Sequence, residues 1–159
     1  MSCELCKFNN PKCTATAVVI KDNKLLMLKR NEEPFKDQWD LPGGYVNAFE
    51  SAEDALRREI NEELGQPFVL PKLMGTYSGA AEWNGVPFAV MSFAFLSDVE
   101  EPIILNKENS EYTWVSLKDL DTAKVAFMTN QDIARDVKRM FTFDLDRVKN
   151  DLKFIISLA

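Results

Sequence analysis

The chain has 159 residues, 46% apolar and 28% charged, with a formal net charge of −6 at pH 7. That size suits one domain with its own core; no apolar run reaches a membrane span, and the negative balance opposes general nucleic-acid binding. Histidine is absent, which excludes Ser-His-Asp and Cys-His triads, His metal sites and an imidazole base.

Read in order, the chain opens with its three cysteines, Cys3, Cys6 and Cys13. No basic-then-apolar leader accompanies them, so the cytoplasm is the expected compartment and a disulfide scaffold is not expected. Residues 14–20 are β-branched and apolar and predict a buried strand. Asp22-Asn23 predicts a tight turn, with 24–28 pairing back as a hairpin. Residues 31–38 are polar, contain a proline and predict a loop. Leu41-Pro42-Gly43-Gly44 reads as a turn, excluded from strand and helix interiors.

Ser51, with Asp54 three residues on, opens a helix over 52–64 that Gly65 closes. Strand-like segments follow at 68–77 and 88–99, joined by a loop carrying Trp83-Asn84-Gly85. A short strand covers 111–115. Thr129 or Asn130 is the expected cap of a helix running to about Met140. Residues 144–158 predict a last amphipathic helix through Leu145, Val148, Leu152 and Ile155 or Ile156. This order predicts an α/β (α+β) domain, a mixed sheet covered by helices.

The helix at 52–64 carries the chemistry. At about 100° per residue, Glu59, Glu62 and Glu63 share one face, beside an apolar stripe of Leu56, Ile60 and Leu64. Carboxylates at this spacing repel, and two lie in the last turn, where the helix dipole disfavours anions. A divalent cation relieves that cost, and clustered oxygen ligands suit Mg²⁺ or Mn²⁺. Spacing alone leaves a second reading open, a solvated acidic face offset by Arg57 and Arg58.

The wider pattern decides between them. Gly44, Glu50, Arg58, Glu59, Ile60, Glu62, Glu63 and Gly65 stand at the fixed spacing of the Nudix box, and Trp39-Asp40-Leu41-Pro42-Gly43-Gly44 resembles its lead-in. Only Gln66 departs, where an aliphatic residue is usual. The resemblance, covering about residues 14–140 between a short Cys-containing extension (1–13) and a helical tail (141–159), implies a Nudix α/β/α sandwich. Its box forms a loop–helix–loop.

It further implies cleavage of a pyrophosphate bond in a nucleoside diphosphate linked to another moiety. The substrate classes are a nucleoside triphosphate, ADP-ribose or a related dinucleotide. By analogy the Gly44 carbonyl with Glu59, Glu62 and Glu63 binds the cations, and Glu50 and Arg58 brace the site. The catalytic base is Glu62 or Glu63, or Glu108, which resembles the downstream metal-binding glutamate of the MutT branch. Lys29 and Arg30 resemble a basic pair near substrate phosphates, and Asn130 the asparagine that reads a nucleobase. Tyr77, Trp83 and Trp39 are candidates for stacking.

Cys3-x-x-Cys6 with Cys13 resembles part of the four-cysteine zinc ribbon of NADH-pyrophosphatase-like Nudix proteins. With no fourth cysteine and no histidine, bound zinc is not favoured. A Nudix-fold binding protein without turnover is the competing class; the intact set of charged box positions favours an enzyme. The apolar tail fits either intramolecular packing or a homodimer contact. The expected partner is a small nucleotide, with neither nucleic acid nor membrane.

Overall fold

The computed structural model describes residues 10–66, 71–83 and 85–141. Strand β1 (Lys12–Val18) is followed by β2 (Ile20–Lys21) and β3 (Lys24–Arg30). The turn between β2 and β3 is Asp22-Asn23, with φ of 51° and 58°, the doubly left-handed geometry that two-residue hairpins favour. The stretch expected as one strand therefore divides, because the chain changes sheets at Val19. Next come β4 (Trp39–Asp40), β5 (Gly43–Tyr45) and helix α1 (Ala52–Leu64). The long hairpin of β6 (Lys72–Trp83) and β7 (Val86–Leu96) precedes β8 (Asn109–Ser116) and helix α2 (Met128–Phe141).

The strands form two sheets rather than one. The first is mixed, in the order β5-β1-β7-β6, with β1 parallel to β7 and its other pairs antiparallel. The second is antiparallel, with β3 at its centre between β4 and β8 and hairpinned to β2. Side chains alternate faces along a strand, and both faces are used. Leu26 and Leu28 of β3, with Ala15 and Ala17 of β1, join Leu56, Ile60 and Leu64 of α1 in one core cluster. Leu25 and Met27 of β3, with Val18 of β1, join Ile133, Ala134 and Val137 of α2 in the other. Helices thus cover both sides of the strands, and the α/β sandwich is the observed architecture. Among the described residues no helix is long and apolar enough to cross a membrane.

Two further expectations are corrected. Gly43 and Gly44, read as a turn, lie in β5 and pair with Thr16 and Ala15. A Cβ on Gly43 would strike the Ala15 carbonyl oxygen, and its φ of 140° is one that side-chain-bearing residues rarely adopt. Glycine here permits close strand approach. Helix α2 begins at Met128, so Thr129 and Asn130 lie inside it, both buried. Asn130 spends its amide on a partner across the molecule and not on capping its own helix. The segment 144–158 lies outside the described residues, as do Cys3 and Cys6.

Candidate active site

Helix α1 is set by its ends. The Ser51 hydroxyl accepts from the Asp54 N–H at 3.1 Å, and Gly65 closes the helix at φ 68°, donating to the Asn61 carbonyl at 3.1 Å. Leu56, Ile60 and Leu64 are fully buried, each worth roughly 1.5–3 kcal/mol of transfer free energy. Their burial fixes the rotation of the helix, and with it the direction of every glutamate.

Arg58 gathers the acidic groups. Its Nε donates to Glu50 Oε1 at 2.9 Å and its Nη2 to Glu50 Oε2 at 3.1 Å, a bidentate pair. Nη1 donates to Glu59 Oε1 at 2.6 Å and, at 3.4 Å, to Glu62 Oε2. Nη2 also reaches the Tyr45 carbonyl at 2.9 Å. The Arg58 hydrogen bonds, with the Asn47 N–H, hold the Glu50 carboxyl below its ordinary range, and the Arg58 guanidinium is held above its own.

The three box glutamates behave differently. Glu59 lies against Gly44, so closely that a Cβ there would overlap its carboxylate. Burial raises its pKa and Arg58 opposes that rise, while the charges of Glu62 and Glu108 add to it. Glu62 points outward, with half of its side chain exposed. Glu63 is turned inward: Oε2 accepts from the Gly43 N–H at 2.7 Å and Oε1 from Asn109 Nδ2 at 3.0 Å. Burial pushes its pKa up to about 8 against those two donors. The single acidic face expected from helical spacing is therefore split, since Glu63 finds partners on β5 and β8.

A cleft of about 1130 Å³ opens beside this cluster, and Gly44, Arg58, Glu59, Glu63 and Glu108 line one wall. Arg30, Asp40, Thr16, Phe127 and Asn130 line it elsewhere. Arg30 donates through Nε to the Pro34 carbonyl at 2.8 Å and through Nη1 to Asp40 Oδ2 at 3.4 Å, with its guanidinium 4.9 Å from the Phe127 ring. Asn130 donates to Asp40 Oδ1 at 2.7 Å. Burial raises the Asp40 carboxyl to about 6, opposed by Asn130 and Arg30.

Lys29 is not among the cleft-lining residues; it pairs with Glu111 at 3.5 Å and stands 5.9 Å from the Trp39 ring. Tyr77 donates to Asp136 at 3.2 Å and, like Trp39, packs on the core under α2 rather than lining the cleft. Cys13 is half-buried and free. Sequence reasoning gave no role to Asp40, Asn109, Thr16 or Phe127. Asp40 stood inside the recognised lead-in and Asn109 directly after Glu108, but the partners that give them roles are far away in sequence.

The donor set fits a hard divalent cation. Every group is an oxygen, the Gly44 backbone adjoins the Glu59 carboxylate, and Glu59 is a partly buried acid on which the charges of Glu62 and Glu108 also act. Among the described residues no three His, Cys, Asp or Glu side chains already converge on one point.

The NUDIX domain family model matches residues 11–137. The chain belongs to that family. A nucleoside triphosphatase NudI from Escherichia fergusonii is 33% identical over 115 residues, 65% of this chain and 80% of that protein. An ADP-ribose pyrophosphatase from Methanocaldococcus jannaschii is 42% identical over 69 residues, which span 43% of this chain and only 41% of that relative's length. Among solved structures, a MutT protein from Methanosarcina mazei superposes with a TM-score of 0.68 at 26% identity, covering 86% of this chain and 99% of that one. The Arg58-centred cluster and the residues that line the cleft beside it all lie within the matched span.

Proposed function

We propose that this Nudix protein is a pyrophosphohydrolase that uses Mg²⁺ or Mn²⁺ to cleave a nucleoside diphosphate linked to another moiety. Nucleoside triphosphates, ADP-ribose and related dinucleotides are the substrate classes. The observation that carries the reading is Arg58, which gathers Glu50, Glu59 and Glu62 and, with Glu59 packed against Gly44, lines the wall of a large cleft. The names of the relatives support both triphosphates and ADP-ribose. Such a substrate and its enzyme suit the cytoplasm, the compartment we assign.

Gly44, Glu59 and Glu62 would hold the cation, with Glu63 behind them. When bound, it supplies charge neutralisation at the phosphates and acidifies a water. The protein's own groups do the rest. Arg58 fixes the torsions of Glu59 and Glu62, so little ordering remains to be done when substrate arrives. Arg30 offers a cation at the cleft wall, although Asp40 offsets much of it. A base must have a free acceptor within reach of the water. Each oxygen of the buried Glu63 already accepts a hydrogen bond, from Gly43 or from Asn109, which leaves it the poorer acceptor, and Glu62 is not among the cleft-lining residues. Glu108 lines the cleft and is close enough for its charge to act on Glu59. We therefore assign the base to Glu108.

The deciding assay is hydrolysis over a nucleotide panel with Mg²⁺, with phosphate, pyrophosphate and nucleoside monophosphate resolved among the products. Glu108→Gln should lower kcat by roughly 10²–10⁴-fold with KM little changed. Full turnover in that variant moves the base to Glu62 or Glu63. No product from the wild type on any substrate sinks the enzymatic reading.

A further inference from the structure

Strand β8 carries one irregularity, at the end nearest the cleft. It pairs with β3 in regular register from Lys24↔Ser116 to Lys29↔Glu111, and then Arg30 pairs with Asn109, so Ser110 is an extra residue. An extra residue in one strand is a bulge, and bulges beside active sites re-aim side chains. Leu26 and Leu28 of β3 face α1, as do Trp114 and Tyr112 opposite them. Strict alternation would give the next place on that face to Ser110. The bulge gives it to Asn109 instead. Ser110 is exposed, whereas Asn109 is buried and its Nδ2 donates to Glu63 Oε1 on α1 at 3.0 Å.

Asn109 directly follows Glu108, whose own side chain is exposed. The backbone around Glu108 is pinned to neighbouring loops. Its carbonyl accepts from the Asn31 N–H at 2.8 Å, and its N–H donates to Asn106 Oδ1 at 3.0 Å. Asn31 Nδ2 also donates to the Lys107 carbonyl at 3.0 Å. Among the described residues, the Asn109 amide is the hydrogen bond from this stretch that reaches α1, the helix carrying Arg58, Glu59 and Glu62. A base on an exposed loop gains from such a tie, because a misplacement of about 1 Å can cost about 100-fold in rate.

We propose that Asn109 is a positioning residue. By tying the residue next to Glu108 to Glu63, it holds the Glu108 carboxylate at a fixed reach from the box cluster. The proposal rests on the assignment of Glu108 as the base.

The test is a double-mutant cycle joined to hydrogen exchange. Asn109→Leu removes the donor at similar size, and Asn109→Ser, a milder change, keeps a polar group too short to reach Glu63. Each should lower kcat about 10- to 100-fold with KM little changed. In a Glu108→Gln background neither should cost anything further, since no base remains to misplace. In metal-free protein, Asn109→Leu should speed exchange of the Asn31 N–H, which donates to Glu108, about tenfold. The Ile104 N–H, bonded to the Leu64 carbonyl, should keep its rate.

The same fractional loss of kcat in both backgrounds overturns the proposal and marks a purely structural tie. Unchanged exchange at Asn31, or equal acceleration at Asn31 and Ile104, overturns it whatever the activity. Full kcat in Glu108→Gln overturns the base assignment and the positioning role with it. A wild type without turnover, with exchange at Asn31 alone accelerated in Asn109→Leu, sinks the hydrolase reading and leaves the tether standing.

Discussion

Within the box, the loop leading into α1 holds one residue that works against stability. Phe49 has a φ of 66°, and its ring is fully exposed to solvent. A left-handed backbone costs a side-chain-bearing residue roughly 1–2 kcal/mol, and only buried contacts of its own would offset that. The ring has none to lose. Phe49→Gly should therefore stabilise the protein by about 1 kcal/mol, less the extra freedom glycine has in the unfolded chain. Urea unfolding with an unchanged m-value is the measurement. A lowered midpoint would mean that the ring contributes a contact in solution. Its neighbour Glu50 has the opposite character, because its carboxylate is bound at both oxygens by Arg58. Strain at Phe49 is the cost of turning the chain so that Glu50 meets Arg58.

At the scale of elements, the end of α1 explains the one departure from the box pattern. Gln66 is buried; its Nε2 donates to the Pro102 carbonyl at 3.2 Å and its Oε1 accepts from the Glu100 N–H at 3.1 Å. Together with the Ile104 N–H donating to the Leu64 carbonyl at 3.0 Å, these bonds tie the helix to the segment that leads toward Glu108. Gln66→Leu restores the family's usual aliphatic, yet it should destabilise the protein by about 1–2 kcal/mol through two lost hydrogen bonds. Thermal unfolding decides, and a raised melting temperature would rule out the tethering role. The helix itself was legible because its signals are local: a Ser51 cap, a Gly65 stop and apolar residues every four positions. Strand β5 was not, because Gly43 and Gly44 are strand residues only by virtue of β1, about 28 positions earlier. The burial of Glu63 was likewise hidden, since Asn109 lies 46 residues away. Asp40 meets Asn130 across 90 residues, and no spacing rule within one element reaches that far.

For the molecule as a whole, the two cores meet beneath a cleft whose walls carry buried acids, and this makes stability depend on pH in a defined sense. Asp40 is raised to about 6 and Glu63 to about 8, both chiefly by burial. The folded state therefore holds protons that the unfolded chain has already released. Its advantage is complete below about pH 4, the unfolded range, and is lost as pH rises, through about 6 for Asp40 and then about 8 for Glu63. Each pKa unit corresponds to about 1.4 kcal/mol. Glu50 acts in reverse, since its lowered pKa contributes stability above its ordinary range that disappears in acid. Metal-free protein should thus show its highest urea midpoint in mildly acidic solution, with a progressive fall toward about pH 9. Glu63→Gln should remove the upper part of that fall, because no carboxyl remains at that position to ionise. Millimolar Mg²⁺ should flatten the curve in the wild type at high pH, since a bound cation favours ionised carboxylates. A midpoint that rises steadily to pH 9 without metal would show that neither acid is held protonated by burial. An identical profile with and without Mg²⁺ would remove the cation from the box.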